Sequence, residues 1–394
     1  MRLFLQDCGI ICALGRGKDA VAKALFSGRA DALRADDSLL SGKTVLVGAV
    51  EGELPAPPAE AAAFDCRNNR LMLAALTEIE PAITACVARY GRERVAVVLG
   101  SSTSGIADGE KALVSRRATG HWPGSYHYRQ QESGTLAVFA ARALGLDGPA
   151  YTVATACSSS AKVFASARRL IRAGLADAVV VGGADTLCRM TLNGFGALEA
   201  LSKSRCNPFS VNRDGITIGE GAAAFLLSAE PGPVELLGVG ETSDAHHATA
   251  PDPQGEGARA AMAMALADAG LAPEDIAYVN LHGTATPLND AMESRAMAAL
   301  FPGTIPCSST KAMTGHMLGA TGGVEAAFLW LTLNRKTNAG FLPPHLWDGH
   351  FDPALPRLNL VSPGTPLAEA SRLAMLSNSF GFGGSNVSLI LGRA

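Results

Sequence analysis

The chain has 394 residues, 48% of them hydrophobic and 18% charged, with a formal net charge of -3. An average soluble domain is roughly 25% charged, so much of this surface is hidden in a large core or in a subunit interface, and a homodimer is expected. The small net charge and the lack of any basic run exclude nucleic acid as an expected partner.

The opening residues 1–15, MRLFLQDCGIICALG, are apolar but carry Asp7 and run into Gly15 and Arg16. They lack a signal-peptide cleavage pattern and are too short to cross a bilayer, which predicts a buried first strand and no membrane insertion. Residues 56–59 (APPA) and 122–128 predict surface loops. The eight cysteines are Cys8, Cys12, Cys66, Cys86, Cys157, Cys188, Cys206 and Cys307. They form no CxxC pair and no zinc spacing with histidine, which predicts a reducing cytoplasmic setting and no such metal site.

Residues 95–102 (VAVVLGSS), 178–185 (AVVVGGAD) and 276–283 (IAYVNLHG) are apolar strand candidates, and alanine-rich helical stretches such as 257–269 lie between them. That alternation predicts an α/β fold whose sheets are buried on both faces. A strand, a glycine-rich bend and a second apolar strand occur twice, across 178–230 and again across 373–392. The echo predicts two similar halves, 1–231 and 232–394, meeting near Pro231 and Pro233.

Residues 152–163, TVATACSSSAKV, join a β-prone uncharged run to a helical pattern. Ala161, Phe164, Ala167, Leu170 and Ile171 recur at helical spacing until Gly174. Cys157 therefore sits at a helix start, where orphan N–H groups and the positive dipole end favour a thiolate and hold a developing oxyanion. The alternative from this segment alone is a buried cysteine in a turn. Two histidines in small-residue loops supply partners for a nucleophile: His282 in NLHGTATPLND and His316 in SSTKAMTGHMLGATGGVEAA, which also carries Lys311. His246 and His247 lack that setting and read as loop residues.

TACSSS, LHGTATPLND, KAMTGHMLGATG and NSFGFGGSN, in this order, resemble the active-site segments of β-ketoacyl-acyl-carrier-protein synthases, the Cys-His-His condensing enzymes. The resemblance covers most of the chain. It implies the thiolase-like duplicated α/β/α/β/α layered fold and a C–C bond-forming acyltransferase that uses phosphopantetheine-linked acyl and malonyl groups on acyl carrier protein, with no permanently bound cofactor. On this reading Cys157 takes the acyl group as a thioester, and His282 and His316 donate to the enolate formed when malonyl loses carbon dioxide. The backbone N–H groups of Cys157 and Phe382 form the oxyanion hole, and the Phe382 ring gates the site. Lys311 and Glu325 support the histidine loop, and Thr284, Thr286 and Thr249 touch the phosphopantetheine arm. Arg67 and Arg70 meet the acidic carrier protein. The resemblance also allows a monovalent cation near Asn280, Glu325, Ser377 and Asn378.

The expected pathway is fatty-acid elongation. Two departures, the three serines after Cys157 and the compact segment 202–214, leave a specialised aryl-polyene-type or polyketide ketosynthase as the alternative. A heterodimer with a related subunit is the alternative assembly. A non-catalytic chain-length factor shares the fold but lacks the nucleophile that stands here at Cys157.

Overall fold

The computed structural model describes residues 1–338, 340–368 and 373–394. Five strands of the first half are β1 (Phe4–Cys12), β2 (Val95–Gly100), β3 (Ala150–Val153), β4 (Ala178–Asp185) and β5 (Gly221–Ser228). Five of the second are β6 (Val234–Ser243), β7 (Ile276–Asn280), β8 (Pro306–Ser308), β9 (Ala374–Gly381) and β10 (Ser385–Arg393). The first set lies side by side as β3-β2-β4-β5-β1 and the second as β8-β7-β9-β10-β6, so each half repeats the order third, second, fourth, fifth, first. In both, the second strand runs parallel to its neighbours and the fifth is antiparallel to the fourth and first. The sets join through a short antiparallel contact of β1 with β6, Phe4 opposite Glu235 and Leu5 opposite Val234. The echo of apolar strand, bend and strand is the β4–β5 pair in one half and the β9–β10 pair in the other.

Successive side chains of a strand point to opposite faces, and the core follows that period. Ala96 and Val98 of β2, with Val179 and Val181 of β4, face a central cluster. Val95, Val97 and Leu99, with Ala178 and Val180, face a second cluster on the outer side. Helix α1 (Arg67–Tyr90) covers that outer side with Leu71, Leu76 and Ile79. It is long and apolar enough to span a bilayer by length and composition, yet its apolar stripe is spent on the sheet. The central layer is built by α2 (Ser159–Arg172) and by a helix near the end of the chain, Thr321–Leu333, whose 13 residues are all buried. An apolar surface all round is what such a position requires. On the far side α3 (Glu256–Ala269) and α4 (Pro287–Leu300) pack with Met262, Leu266 and Met297 against the second sheet. The central helix Thr321–Leu333 is α5. Helix, sheet, helix, sheet, helix is thus the layering, and the starts of α2 and α5 meet in the middle.

Candidate active site

Cys157 lies one residue before Ser158, the N-cap of α2. The preceding residue, Ala156, has φ 50, a left-handed conformation that costs a residue with a Cβ about 1–3 kcal/mol and is tolerated where surrounding bonds over-determine it. The three serines are those bonds. Ser158 Oγ donates to the Thr155 carbonyl at 2.8 Å and pairs with Ser385 Oγ at 3.0 Å. Ser159 Oγ donates to the Ala156 carbonyl at 2.6 Å and accepts the Thr155 N–H at 2.9 Å. Ser160 Oγ accepts the Gly323 N–H at 2.7 Å, which fastens α5 to the turn. The serines thereby hold a strained strand-to-helix turn in the pose that presents the sulfur. Opposite it, a side chain at Gly381 would stand 3.1 Å from the Thr155 carbonyl and 3.2 Å from the Cys157 nitrogen. Glycine at that point lets the 381–384 turn reach the cysteine.

His316 Nε2 is 3.1 Å from Cys157 Sγ, and its Nδ1 is 2.9 Å from Thr321 Oγ1. The His282 ring stands edge-on to His316 with centroids 5.3 Å apart and also meets Phe380 at 5.9 Å. Residues from positions 157, 282 and 316 therefore converge on one cavity of about 290 Å³. Thr249, Thr284, Thr286 and Phe382 line the same cavity. The Phe382 ring is 39% exposed and leans on Phe195 at 5.5 Å, so it sits at the opening and not in the core. Thr284 and Thr286 join their hydroxyls at 3.0 Å, and the Thr249 N–H donates to His247 Nδ1 at 3.2 Å. His247 thus belongs to the loop that carries Thr249.

The electrostatics correct one expectation. Burial pushes the Cys157 thiol up to about 11, against the opposing pull of Lys311 and of the Phe382 and Cys157 backbone N–H groups, while Asp185 pushes the same way as burial. The helix start does favour the thiolate, but desolvation outweighs it, and the resting sulfur is a thiol. Both histidines are held well below their ordinary range by burial first and by the Lys311 charge second. They are neutral, the form that offers one N–H and one lone pair. Lys311 Nζ donates to Glu325 at 2.6 Å with both side chains 1% exposed, and burial still raises the Glu325 carboxyl to about 7.

Arg67 and Arg70 are paired within the chain. Arg67 is bound to Glu220 and to the Val50 carbonyl, and Arg70 grips Asp65 with two nitrogens at 2.6 Å. Both line a separate polar groove, away from the mouth of the Cys157 cavity. Their guanidinium groups hold this chain together, a use that a surface-charge reading of CRNNRLML does not anticipate.

Among the four positions matched to a cation, Asn280 has no partner among the described residues for either side-chain polar atom in the interior, nor does Glu325 for Oε2 or Ser377 for Oγ. That unspent oxygen set fits a small monovalent ion. Asn378 is already committed, donating to Glu293 at 3.2 Å and accepting from Ser388 at 2.8 Å. Among the described residues no cluster of three or more His, Cys, Asp or Glu has metal-holding geometry.

Three buried carboxylates escaped the sequence reading. Glu293 accepts the backbone N–H groups of His282 and Gly283 at 2.8 and 2.7 Å, and so aims the first histidine. Asp290 accepts the Phe209 and Ala285 N–H groups at 2.7 and 3.1 Å. The two are three apart on α4, the same helical face as Met297, so acid on an otherwise apolar stripe was the available signal. Asp185 ends β4 and accepts from Ser101, Ser102, Thr103 and the Ala320 N–H, tying the His316 loop to two strand ends.

A fold of two repeated halves, with a thiol at the start of one central helix and two neutral imidazoles facing it, defines a Cys-His-His condensing-enzyme architecture. Models of the β-ketoacyl synthase N-terminal and C-terminal domains match residues 13–231 and 234–346, and the chain belongs to the β-ketoacyl synthase family. A Staphylococcus aureus 3-oxoacyl-[acyl-carrier-protein] synthase 2 is 37% identical over 267 residues, 63% of this chain. The match spans 64% of that relative's length. A ketosynthase from Xenorhabdus doucetiae, solved in complex with its chain length factor, is 47% identical with a TM-score of 0.94, covering 100% of this chain and 98% of that one. The ishigamide ketosynthase/chain length factor structure is 28% identical with a TM-score of 0.88, covering 100% of this chain and 99% of that one.

Proposed function

We propose that the chain is a ketosynthase performing decarboxylative Claisen condensation between an acyl group on Cys157 and malonyl-acyl carrier protein, in a specialised polyene or polyketide pathway. The observation that carries the chemistry is the 3.1 Å approach of His316 Nε2 to Cys157 Sγ, with the second neutral imidazole beside it. A non-catalytic chain-length-factor role needs neither the thiol nor the paired rings. Cys157 is the nucleophile, and a thiol suits it because its thioester stays activated for the second attack. His282 and His316 donate to the enolate oxygen, and the backbone N–H groups of Cys157 and Phe382 receive the oxyanion of the acyl transfer. Burial first and the charge of Lys311, paired with Glu325, second keep both rings neutral, and Thr249, Thr284 and Thr286 meet the phosphopantetheine arm. The halves 1–231 and 232–394 supply the nucleophile and the histidines respectively.

The choice of pathway reverses the expectation of fatty-acid elongation. Likeness to the ketosynthase solved with its chain length factor runs at 47% over the whole chain, against 37% over 63% for the Staphylococcus aureus relative. The same likeness favours a heterodimer with a chain-length-factor-like subunit over a homodimer. Strand β3 lies at the end of the sheet with Tyr151 38% exposed, an edge that a second sheet of this fold can extend. All eight cysteines are free and buried, which suits a reducing cytoplasm.

The test is acylation by a panel of acyl carrier proteins bearing saturated and conjugated polyene chains, read as mass added at Cys157. Conjugated chains are expected to load, and saturated chains to load poorly. Equal loading by saturated chains returns the enzyme to fatty-acid elongation, and label on another residue removes the nucleophile assignment.

A further inference from the structure

We infer that Thr321 is a positioning residue whose hydroxyl satisfies His316 Nδ1 in either tautomer, so that one imidazole serves acyl transfer and condensation in turn. What the ring does rests on the ketosynthase reading above; how the ring is held rests on geometry alone. Thr321 Oγ1 lies 2.9 Å from His316 Nδ1, on the side of the ring away from Cys157. A hydroxyl both donates and accepts, whereas a backbone N–H in the same place only donates and locks the proton on Nε2. The Thr321 contact leaves both tautomers open and satisfied.

The hydroxyl is fixed in place by close packing of the two central helices. Thr321 opens α5, and the next two residues are glycines laid on the start of α2. A side chain at Gly322 would come within 2.7 Å of the Ala161 Cβ and 2.9 Å of Ser379 Oγ. The Gly323 N–H donates to Ser160 Oγ, three residues from the nucleophile. Sulfur and hydroxyl are therefore set by a helix–helix contact, and Asp185 ties down the loop that carries the ring.

The two half-reactions use opposite tautomers. In acyl transfer Cys157 S–H gives its proton to His316 Nε2 while Sγ attacks the acyl thioester carbon, and Nδ1–H donates to Thr321 Oγ1. The new S–C bond forms, the pantetheine C–S bond breaks, and the leaving sulfur takes the proton from Nε2. The ring is left neutral with its proton on Nδ1, and exchange with water moves that proton to Nε2. Thr321 O–H then donates to Nδ1. When malonyl loses carbon dioxide, the electron pair of the broken C–C bond becomes the enolate, whose oxygen accepts from Nε2–H. Its carbon attacks the acyl-Cys157 carbon, and Sγ leaves as a thiolate that water reprotonates.

Thr321→Val keeps the branched shape without the hydroxyl, and Thr321→Ser keeps the hydroxyl. Two readouts separate this role from plain packing. One is the pH profile of Cys157 alkylation by iodoacetamide in the full chain, read by mass. The other is carbon dioxide release from malonyl-pantetheine in a Cys157→Gln background. Lys311 and Asp185 bear on the sulfur, and Lys311 and His282 face the ring, identically in both variants. In metal sites, losing the group that orients a ligating imidazole typically costs about tenfold to a hundredfold, and an effect of that size is expected here. Thr321→Val is expected to lower decarboxylation kcat by that factor with KM little changed, and to move the alkylation profile to higher pH. Thr321→Ser is expected to restore both. Decarboxylation and alkylation unchanged in Thr321→Val, or equally impaired in Thr321→Ser, overturns the inference. If Thr321→Val does not fold, Thr321→Ala against Thr321→Ser gives the same decision. If Cys157→Gln alone releases no carbon dioxide, the ketosynthase reading fails, and the alkylation profiles still decide the role of Thr321.

Discussion

The two imidazoles that face Cys157 are held in opposite ways. His316 has a partner on each nitrogen, the sulfur at 3.1 Å and the Thr321 hydroxyl at 2.9 Å. Among the described residues the buried Nδ1 of His282 has no partner, and the ring's place is fixed by Glu293 gripping its backbone and by ring contacts with His316 and Phe380. A ring held through both nitrogens can pass a proton along. A ring held through its backbone can only present a fixed dipole. The contrast teaches that two residues of one type, equally buried and equally neutral, are built for different duties by their second contacts.

Substitutions at the site separate these two duties. Largest is Cys157→Gln, which abolishes chain elongation altogether while malonyl decarboxylation continues, measured as carbon dioxide released without a condensed product. Next is Lys311→Met. It leaves Glu325 without its cation in the interior, where breaking a buried pair typically costs about 3–5 kcal/mol, and denaturant unfolding reads the loss. His282→Ala and His316→Ala come third. Each removes one donor to the enolate and should slow decarboxylation about a hundredfold to a thousandfold. Only His316→Ala should also slow acyl loading of Cys157, because only that ring touches the sulfur. Equal loading in the two variants erases the contrast.

The smallest effect is on stability against pH. Burial raises the Glu293 carboxyl from its ordinary 4.5 to about 7 in the folded chain. A raised folded value means the folded state binds the proton more tightly, so this group's contribution is full below pH 4.5 and is lost as pH rises through 7. Glu293→Gln cannot titrate and should flatten the fall in Tm across that window. An unchanged slope says that the carboxyl is ionised throughout.

The sequence made the strands, the layered repeat and the three side chains that converge on one cavity legible for one reason: each lies in a strand-to-loop or strand-to-helix change of period that a local reading detects. Cys157, His282 and His316 stand among small residues where bulky ones would fill a core. What stayed hidden depends on partners far along the chain. The third serine in TACSSS works by meeting Gly323, 163 positions away. Arg67 reads as surface charge until Glu220, 153 positions on, is seen to hold it. The thiol's upward shift could not be read either, because helix-start geometry is local and desolvation is not.

The most direct test of the whole account is a single-turnover chase. Cys157 is first loaded with an isotopically labelled conjugated acyl group, and malonyl-acyl carrier protein is then added while intact masses of both proteins are followed. Label is expected to leave Cys157 at the rate at which a chain two carbons longer appears on the carrier protein. Product forming while the label stays on the sulfur contradicts it.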